Sequence, residues 1–306
     1  MSNNVVADSV TSNQKDAAVL RPLQIGLLLN FRDAPRSIKC VYSLLEQGVD
    51  SVLVIDNSAD GGQSGALITQ HFSAQARVVV TISERNLGFS AGANRGLQIC
   101  AQRYPGCRVL LINNDAFLLS DGLKRLSEAL DQSPLSKFAY PDMEQDGLVA
   151  GPAYYQRLTG LLTRRPLPGA FVYASGCCLL IDTRKADLPL FDERFFMYGE
   201  DCELGWRLAS LRQAMAYVPQ ARVVHEGSAS SGMGSVFYEE RMVAAHWMLV
   251  SKLSSNVFER WLMYGLRTLT LLSRGLLRAF RYRSLVPLRA IWRGWKIAFI
   301  HDPMLG

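Results

Sequence analysis

Short apolar runs alternate with amphipathic stretches over the first third of the chain. The runs have the length of strands and are rich in valine, isoleucine and leucine, which is typical of buried parallel strands. The stretches between them repeat apolar residues at helical spacing. The predicted strands are residues 24–31, 51–58, 77–84 and 108–115, and the predicted helices are residues 36–47, 64–73 and 91–103. This alternation predicts an α/β fold with a mostly parallel central sheet.

The pattern becomes irregular after residue 132. Residues 132–170 hold five prolines and are predicted to form loops and short strands. Apolar periodicity then returns and continues to residue 300. The later predicted elements are a strand at 174–181, a helix at 199–213, short strands at 214–219 and 222–225, a flexible loop at 227–234 and helices over 236–300.

Charge divides the 306 residues into a near-neutral body and a basic C-terminal region. Residues 236–306 contain eleven lysines and arginines against four acids, a balance of +7, whereas residues 1–235 balance to −1. Residues 1–20 are polar and predict a disordered tail. We therefore expect an α/β domain at 21–235, followed by a basic amphipathic helical region at 236–306.

Overall composition is that of a globular protein, with 49% hydrophobic and 20% charged residues. The six cysteines form no Cys-x-x-Cys pair, which favours buried free thiols in a reducing compartment. The N-terminal residues lack the apolar segment of a signal peptide, so we expect a cytoplasmic protein.

Polar residues follow several of the predicted strands. Asp56 ends the second strand, and Asn86 and Asp115 lie just beyond the next two. Ligands of open α/β sheets bind at the carboxyl ends of the strands. Asp56 can accept an N–H group from a nucleobase, although a carboxylate in this position also simply fixes a turn.

A glycine-rich loop spans residues 84–96, with Gly88, Gly92 and Gly96 four residues apart. Glycines allow close backbone approach, and a helix N-terminus offers free N–H groups to a phosphate. The spacing differs from the G-x-G-x-x-G dinucleotide fingerprint. An ordinary strand-to-helix turn is the alternative interpretation.

Asp115 and His225 are candidate metal ligands. Mg²⁺ typically takes one or two carboxylates together with substrate phosphates, and imidazole is a plausible additional ligand. Each residue alone is weak evidence, because a single aspartate or histidine after a strand is commonly structural.

Three carboxylates crowd the stretch FMYGEDCELGWRLAS at residues 196–210. They fall in the first turn of a predicted helix, where the helix dipole favours negative charge. Glu203 stands four residues before Arg207 and is expected to pair with it. Glu200 and Asp201 are flanked by aromatics that can exclude water, and two close carboxylates can raise one pKa for base catalysis. Capping of the helix is the alternative for both.

The order of these motifs resembles glycosyltransferase family 2, in its bacterial rhamnosyltransferase-like branch. Six segments carry the resemblance across residues 22–232. They are VIDNS, RNLGFSAGANRG, LLINND, ASGCCLLI, FDERFFMYGEDCELGWRL and VVHEGSASS. The resemblance implies a GT-A fold, which is Rossmann-like, a dTDP- or UDP-sugar donor, Mg²⁺ or Mn²⁺, and inversion at the anomeric carbon.

The resemblance also implies roles for individual residues. Asp201 would be the catalytic base with Glu200 beside it, and Asp115 and His225 would hold the metal. Inversion needs such a base on one side of the sugar and a cation near the departing diphosphate on the other. The residues expected to bind the donor are Asp56, Asn57, Arg85, Asn86, Gly88, Asn94, Asn114, Ser175 and Gly176.

Three positions depart from the family pattern. Asn113 and Asn114 precede Asp115, so one of two metal-motif acids is retained. Glu203 stands where a second aspartate is common. Pro189 and Leu190 replace a Gly-Gly pair.

The basic C-terminal region places Arg260, Arg267, Arg274 and Arg281 seven residues apart, on one side of a helix. With tryptophans nearby, this pattern favours an anionic membrane surface, at the inner face of the cell membrane. Packing on the α/β domain or in a homo-oligomer is the alternative. No nucleic-acid recognition motif accompanies the charge, and no apolar run is long enough to span a membrane.

The function expected from this resemblance is transfer of L-rhamnose from dTDP-rhamnose to an oligosaccharide or lipid-linked acceptor of a bacterial surface polysaccharide. Galactofuranose, glucose and N-acetylhexosamine are alternative donor sugars. An inactive scaffold of the same fold is an alternative outside enzymes. A nucleotidyltransferase is disfavoured, because residues 30–37 after the first strand contain no glycine.

Overall fold

The computed structural model describes residues 21–227 and 234–300. The predicted tail at 1–20, most of the predicted loop at 227–234 and the last six residues lie outside this range. The strands are β1 (Gln24–Asn30), β2 (Ser51–Asp56), β3 (Val78–Ile82), β4 (Arg108–Ile112), β5 (Ala116–Leu118), β6 (Phe138–Gln145), β7 (Leu148–Ala150), β8 (Ala153–Gln156), β9 (Leu162–Thr163), β10 (Ala170–Tyr173), β11 (Cys178–Asp182) and β12 (Met215–His225). The helices are α1 (Ala34–Glu46), α2 (Gln63–His71), α3 (Gly88–Arg103), α4 (Gly122–Gln132), α5 (Glu200–Ala209), α6 (Val236–Leu253), α7 (Val257–Tyr282) and α8 (Val286–Phe299).

The central sheet has the order β3-β2-β1-β4-β11-β6-β12-β5, with β7 paired to β6. The pairs β3–β2, β2–β1 and β1–β4 are parallel, which confirms the sheet predicted from the alternating pattern. Strand β11 then runs antiparallel to both β4 and β6. The two short strands predicted at 214–225 form one strand, β12, whose register against β6 shifts between Val218 and Arg222.

Helices cover both faces of the sheet, as continuous apolar strands require. On one face, Leu44 of α1, Ile68 of α2 and Leu126 of α4 pack on the strands. On the other, Leu97 of α3 and Leu204 of α5 do so. All six cysteines are buried free thiols, as predicted. This arrangement places the carboxyl ends of β1, β2 and β4 at the same edge of the sheet, where the site lies.

The C-terminal helices are joined to the sheet domain by an apolar cluster. Leu249 and Val250 of α6 pack with Tyr155, Phe171 and Phe195 in this cluster. A separate sheet of order β10-β8-β9 provides two of these aromatics. Since burial of such side chains contributes about 1.5–3 kcal/mol each, α6 is an integral part of the folded unit.

Two arginines of the predicted row on α7, Arg267 and Arg274, face the protein, whereas Arg281 at the end of the helix is exposed. Arg267 is fully buried, and its guanidinium donates hydrogen bonds to Tyr155 Oη and to the backbone carbonyls of His246 and Arg157, at 2.7–2.9 Å. Arg274 lies 3.5 Å from the His246 ring. Apolar residues occupy the outward face of α7 instead. The described helices include none with the length and apolarity needed to cross a membrane.

Candidate active site

A cleft of about 870 Å³ opens at the carboxyl end of the parallel strands. It collects most of the residues predicted to act in binding and catalysis. The predicted residues that line it are Asn57, Asn86, Gly88, Asn114, Asp115, Ser175, Gly176, Glu200, Asp201 and His225. The sheet and α5 thus bring together side chains that are more than a hundred residues apart in the chain.

Asp115 and His225 face each other in the cleft, with 3.2 Å between Asp115 Oδ1 and His225 Nε2. Strand pairing produces this contact, because β12 runs antiparallel to β5 and aligns His225 with Ala116. Both side chains are largely buried, at 8% and 16% exposure. The carboxylate and imidazole therefore form a compact pair of metal-type ligands.

The donor set of this pair fits a divalent cation that also binds phosphate oxygens. His225 Nδ1 is buried and has no hydrogen-bond partner among the described residues. A buried ring nitrogen without a partner is unusual unless a ligand completes the site. The described residues hold no cluster of three or more histidine, cysteine or acidic ligands. A cation here would therefore depend on substrate oxygens, as Mg²⁺ commonly does.

The acid pair begins α5, and a tight turn presents it to the cleft. Tyr198 and Gly199 both have positive φ, of 69° and 90°. A Cβ atom on Gly199 would lie 2.9 Å from Ala245 Cβ of α6, so glycine is required for packing as well as for conformation. The turn directs Glu200 and Asp201 into the cleft at the N-terminal end of the helix.

The two acids have different protonation behaviour. Burial raises the pKa of Asp201 to about 6, although the backbone N–H of Cys202 donates to its Oδ1 over 2.8 Å and opposes the shift. Burial, reinforced by the charge of Asp201, raises the pKa of Glu200 well above its usual range. Two close buried carboxyls lose their protons one after the other, which leaves a single negative charge on the pair over a range of pH. That is the state a general base requires.

Glu203 has the structural role predicted for it. Its carboxylate accepts from Arg207 Nε at 2.9 and 3.0 Å, and it is 4% exposed. Arg207 also donates to the carbonyl of Leu190. The pair therefore ties α5 to the loop that contains Pro189.

The glycine loop bridges the two sides of the cleft. Asn86 Oδ1 accepts from the Gly88 N–H over 2.9 Å, and Asn57 Nδ2 donates to the Gly88 carbonyl over 2.8 Å. A Cβ on Gly88 would lie only 2.2 Å from the carbonyl oxygen of Phe196. Gly88 thus allows the loop to contact the segment that precedes the acid pair.

Three of the residues predicted to bind the donor do not line the cleft. Asn94 is buried in α3 and exchanges hydrogen bonds with the Phe191 backbone at 2.8 and 3.0 Å. Arg85 is exposed on the surface. Asp56 is 1% exposed beneath the cleft.

Asp56 belongs to a hydrogen-bonded network that the sequence analysis missed. Asn30 Nδ2 donates to Asp56 Oδ1 over 2.8 Å, and Ser37 Oγ donates to Asn30 Oδ1 over 2.7 Å. Asn114 Nδ2 in turn donates to Ser37 Oγ over 3.0 Å. The buried polar residue Asn30 at the end of an apolar strand was the available signal. The network connects the ends of β1, β2 and β4.

The far end of the cleft is largely apolar. Residues of α6 and the separate sheet line it beside the acid pair. They include Tyr155, Leu162, Tyr173, Met242, Ala245 and Leu249. His246 also lines this end, and burial together with Arg267 and Arg274 holds its pKa well below its usual range, so the ring is neutral. This end was not predicted from the sequence, because α6 lies outside the recognised motifs.

Comparison with known proteins gives a family match over half of the chain. Residues 31–186 match the model of Glycosyl transferase family 2, which is half of the chain. The chain belongs to this family. The glycosyltransferase match includes Asp115 and the glycine loop, whereas the acid pair and His225 lie beyond it.

Curated relatives of this glycosyltransferase match over a short stretch. The N-acetylglucosaminyl-diphospho-decaprenol L-rhamnosyltransferases of two Mycobacterium tuberculosis strains, CDC 1551 / Oshkosh and ATCC 25618 / H37Rv, are 45% identical over 62 residues. That stretch is 20% of this chain and 20% of each relative. The match thus spans about a fifth of the relatives' length.

Solved structures show the same fold at low identity. GalNAc-T7, crystallised with UDP, GalNAc and Mn²⁺, has a TM-score of 0.55 at 12% identity, covering 86% of this chain and 58% of that one. Residues 1–349 of S. aureus TarS have a TM-score of 0.51 at 13% identity, covering 80% and 69%. This family 2 glycosyltransferase therefore has the GT-A fold.

Proposed function

We propose that this glycosyltransferase transfers a sugar, with inversion, from a nucleotide diphosphate to a lipid-linked acceptor during synthesis of a bacterial surface polysaccharide such as an O-antigen. The favoured donor is dTDP-L-rhamnose. One observation carries the proposal: Asp201 and the pair Asp115–His225 line the same cleft. A base and a cation-binding acid on one cleft are the two opposed charges that direct displacement requires.

Asp201 is proposed as the general base. Its carboxylate takes the proton of an acceptor hydroxyl while that oxygen forms a bond to the anomeric carbon. The bond from this carbon to the diphosphate breaks, and the nucleoside diphosphate leaves with the electron pair. Glu200 is buried beside Asp201, and because burial and the Asp201 charge raise its pKa, it opposes a second negative charge near the attacking oxygen.

Asp115 and His225 are proposed to hold the divalent cation. When bound, Mg²⁺ or Mn²⁺ would supply positive charge beside the leaving diphosphate. Two observations support this assignment: His225 Nδ1 has no partner among the described residues, and His225 Nε2 lies 3.2 Å from Asp115 Oδ1. The presence of UDP and Mn²⁺ in the GalNAc-T7 crystal supports the same ligand classes for this fold.

The nucleotide is proposed to bind across the ends of β1, β2 and β4. Asn57 Oδ1 and Asp56 Oδ2 are buried and have no hydrogen-bond partner among the described residues. Both can accept N–H or O–H groups of a nucleoside. Asn86, Gly88, Asn114, Ser175 and Gly176, on the cleft wall, are proposed to face the diphosphate and sugar.

A lipid-linked acceptor fits the apolar end of the cleft beside Asp201. The rhamnosyltransferases that match part of this chain are named for a decaprenol-diphosphate acceptor. We accordingly place the enzyme at the inner face of the cell membrane. We also propose residues 21–235 as the catalytic domain and 236–306 as a helical region that serves the acceptor side.

Release of nucleoside diphosphate tests the proposal directly. The purified chain is incubated with dTDP-rhamnose or with UDP-sugars, with and without Mn²⁺. The expected result is Mn²⁺-dependent turnover, reduced about 10²–10⁴-fold in Asp201→Asn. Asp187→Asn is the control, because the Asp187 side chain is 88% exposed.

Two outcomes would contradict different parts of the proposal. Turnover of a UDP-sugar but not of dTDP-rhamnose would overturn the donor assignment alone. Absence of turnover with every donor, from folded protein, would indicate a scaffold without activity.

A further inference from the structure

The outward face of α7 is apolar along the whole helix. Its large side chains lie three or four residues apart, except for a break between Leu262 and Leu269, and are between 42% and 89% exposed. They are Phe258, Leu262, Leu269, Leu272, Leu276 and Phe280, with Trp261 beside them. Twenty-six helical residues extend about 39 Å. Contiguous exposed apolar surface of this length marks an interaction site in a soluble protein.

Three arginines of α7 are turned away from this face. Arg267 is buried against Tyr155, and Arg274 contacts His246. Arg278 donates to Glu239 Oε1 of α6 over 2.8 Å. The helix thus directs these three cations toward the protein and several leucines toward solvent, the reverse of an ordinary surface helix.

The surroundings of the face carry uncompensated positive charge. Each described carboxylate of residues 234–300 is already paired. The pairs are Glu239 with Arg278, Glu240 with Arg293, and Glu259 with Arg157. Arg281, Arg283 and Arg289 are exposed and have no ion pair within the described ranges. The end of α7 and the start of α8 therefore attract anions.

We propose that the apolar face of α7 docks this enzyme on an anionic lipid bilayer. An apolar helix face between tryptophans and unpaired arginines is suited to the boundary between acyl chains and headgroups. Trp261 and Trp292 are 70% and 60% exposed, as expected of residues at such a boundary. A second copy of the chain is a poorer occupant, because it would bring the same excess of positive charge to the contact.

Docking on this face would hold the cleft near the bilayer, with the C-terminal helices between them. Helix α6 packs against both α7 and α8, and its residues Met242, Ala245 and Leu249 line the apolar end of the cleft. An acceptor held in the membrane by its lipid would then be kept close to the domain that holds Asp201. This part rests on the proposed lipid-linked acceptor, whereas the docking itself is measurable without any sugar.

Flotation of the full chain with vesicles tests the docking. The vesicles contain phosphatidylcholine alone or equimolar phosphatidylcholine and phosphatidylglycerol. We expect binding to the second kind, weakened at least about tenfold in the double variant Leu269→Glu, Leu276→Glu, since burial of two leucines is lost. Leu135→Glu is the matched control, because Leu135 is 61% exposed on the sheet domain. Arg281→Gln and Arg283→Gln should each weaken binding about fivefold.

The outcomes separate the alternatives. Thermal unfolding establishes that the double variant is folded, and donor hydrolysis should be unchanged in it. A chain that fails to bind anionic vesicles, or a double variant that binds as the wild type does, overturns the proposal. If the double variant instead halves the mass in solution and vesicle binding is absent, the face is a contact between copies. Absence of donor hydrolysis by the wild type would contradict only the proposed function and would leave the docking proposal unchanged.

Discussion

The backbone N–H of Phe89 donates to the carbonyl oxygen of Phe196 over 2.7 Å. This bond joins the start of α3, where the glycine loop lies, to the segment that precedes Glu200 and Asp201. The proposed donor side and base side of the cleft are therefore one connected structure. Their relative position depends on the absence of a side chain at Gly88.

Gly88→Ala should disrupt this connection. Gly88 has φ of +75°, and an added Cβ would lie 2.2 Å from the Phe196 carbonyl oxygen. Gly48→Ala is the control, since Gly48 has φ of +82° with nothing within 4 Å of an added Cβ. The control should lose about 1–2 kcal/mol of unfolding free energy, and Gly88→Ala about 1–3 kcal/mol more. Equal losses in urea denaturation would show that the contact with Phe196 is not limiting.

The rate should follow the ionisation of Asp201. Because burial raises the pKa of Asp201 to about 6, kcat/KM of the wild type should fall about tenfold per pH unit below that value. Asp201→Asn should lose this acid limb along with most of its rate. A profile that keeps the limb in Asp201→Asn would assign it to another group.

Asp201 should also lower stability at neutral pH. Its folded pKa is above the unfolded value, so the folded state binds more protons and the unfolding free energy decreases between about pH 4 and pH 6. Asp201→Asn removes this cost. The unfolding free energy of the variant minus that of the wild type should therefore be about 1–3 kcal/mol larger at pH 8 than at pH 4. The measurement is urea denaturation of both proteins at the two pH values. A difference between the proteins that does not vary with pH would contradict the burial of this charge.

Cation binding should depend on Asp115. A nucleoside diphosphate with Mn²⁺, at a hundred times the dissociation constant, should stabilise the wild type by about 2.7 kcal/mol. Asp115→Asn should lose the part of this thermal shift that requires Mn²⁺, while Asp121→Asn, at an exposed position, should retain it. Chelation with EDTA should reverse the shift. A Mn²⁺-dependent shift that persists in Asp115→Asn would place the cation elsewhere.

Arg267 should be a major structural residue of α7. Its removal in Arg267→Ala leaves Tyr155 Oη and two carbonyls without their charged donor and creates a cavity, at a cost of about 3–5 kcal/mol. Arg281→Ala, exposed on the same helix, should stay within about 0.5 kcal/mol of wild type. Denaturant unfolding of the two variants makes the comparison. Similar small effects would mean that the hydrogen bonds of Arg267 are dispensable.

Local pattern accounts for the elements and for several contacts. Apolar runs specified β1, β2 and β4, and helical spacing specified α1 and α3, because burial of continuous apolar strands permits few other arrangements. The pairing of Glu203 with Arg207 was likewise predictable, since residues four apart meet on a helix. The family motifs identified the strand ends at which a ligand would bind.

The sequence by itself determined the alternation of strands and helices and the positions of the candidate acids, since both depend on periodicity and short-range order. Only the tertiary structure decided that Asn94 binds the Phe191 backbone, that His225 meets Asp115, and that Arg267 is buried while the leucines of α7 are exposed. Those outcomes depend on which distant element packs against each side chain. Helical spacing shows that a face exists, and packing against α6 determines whether that face turns inward or toward solvent.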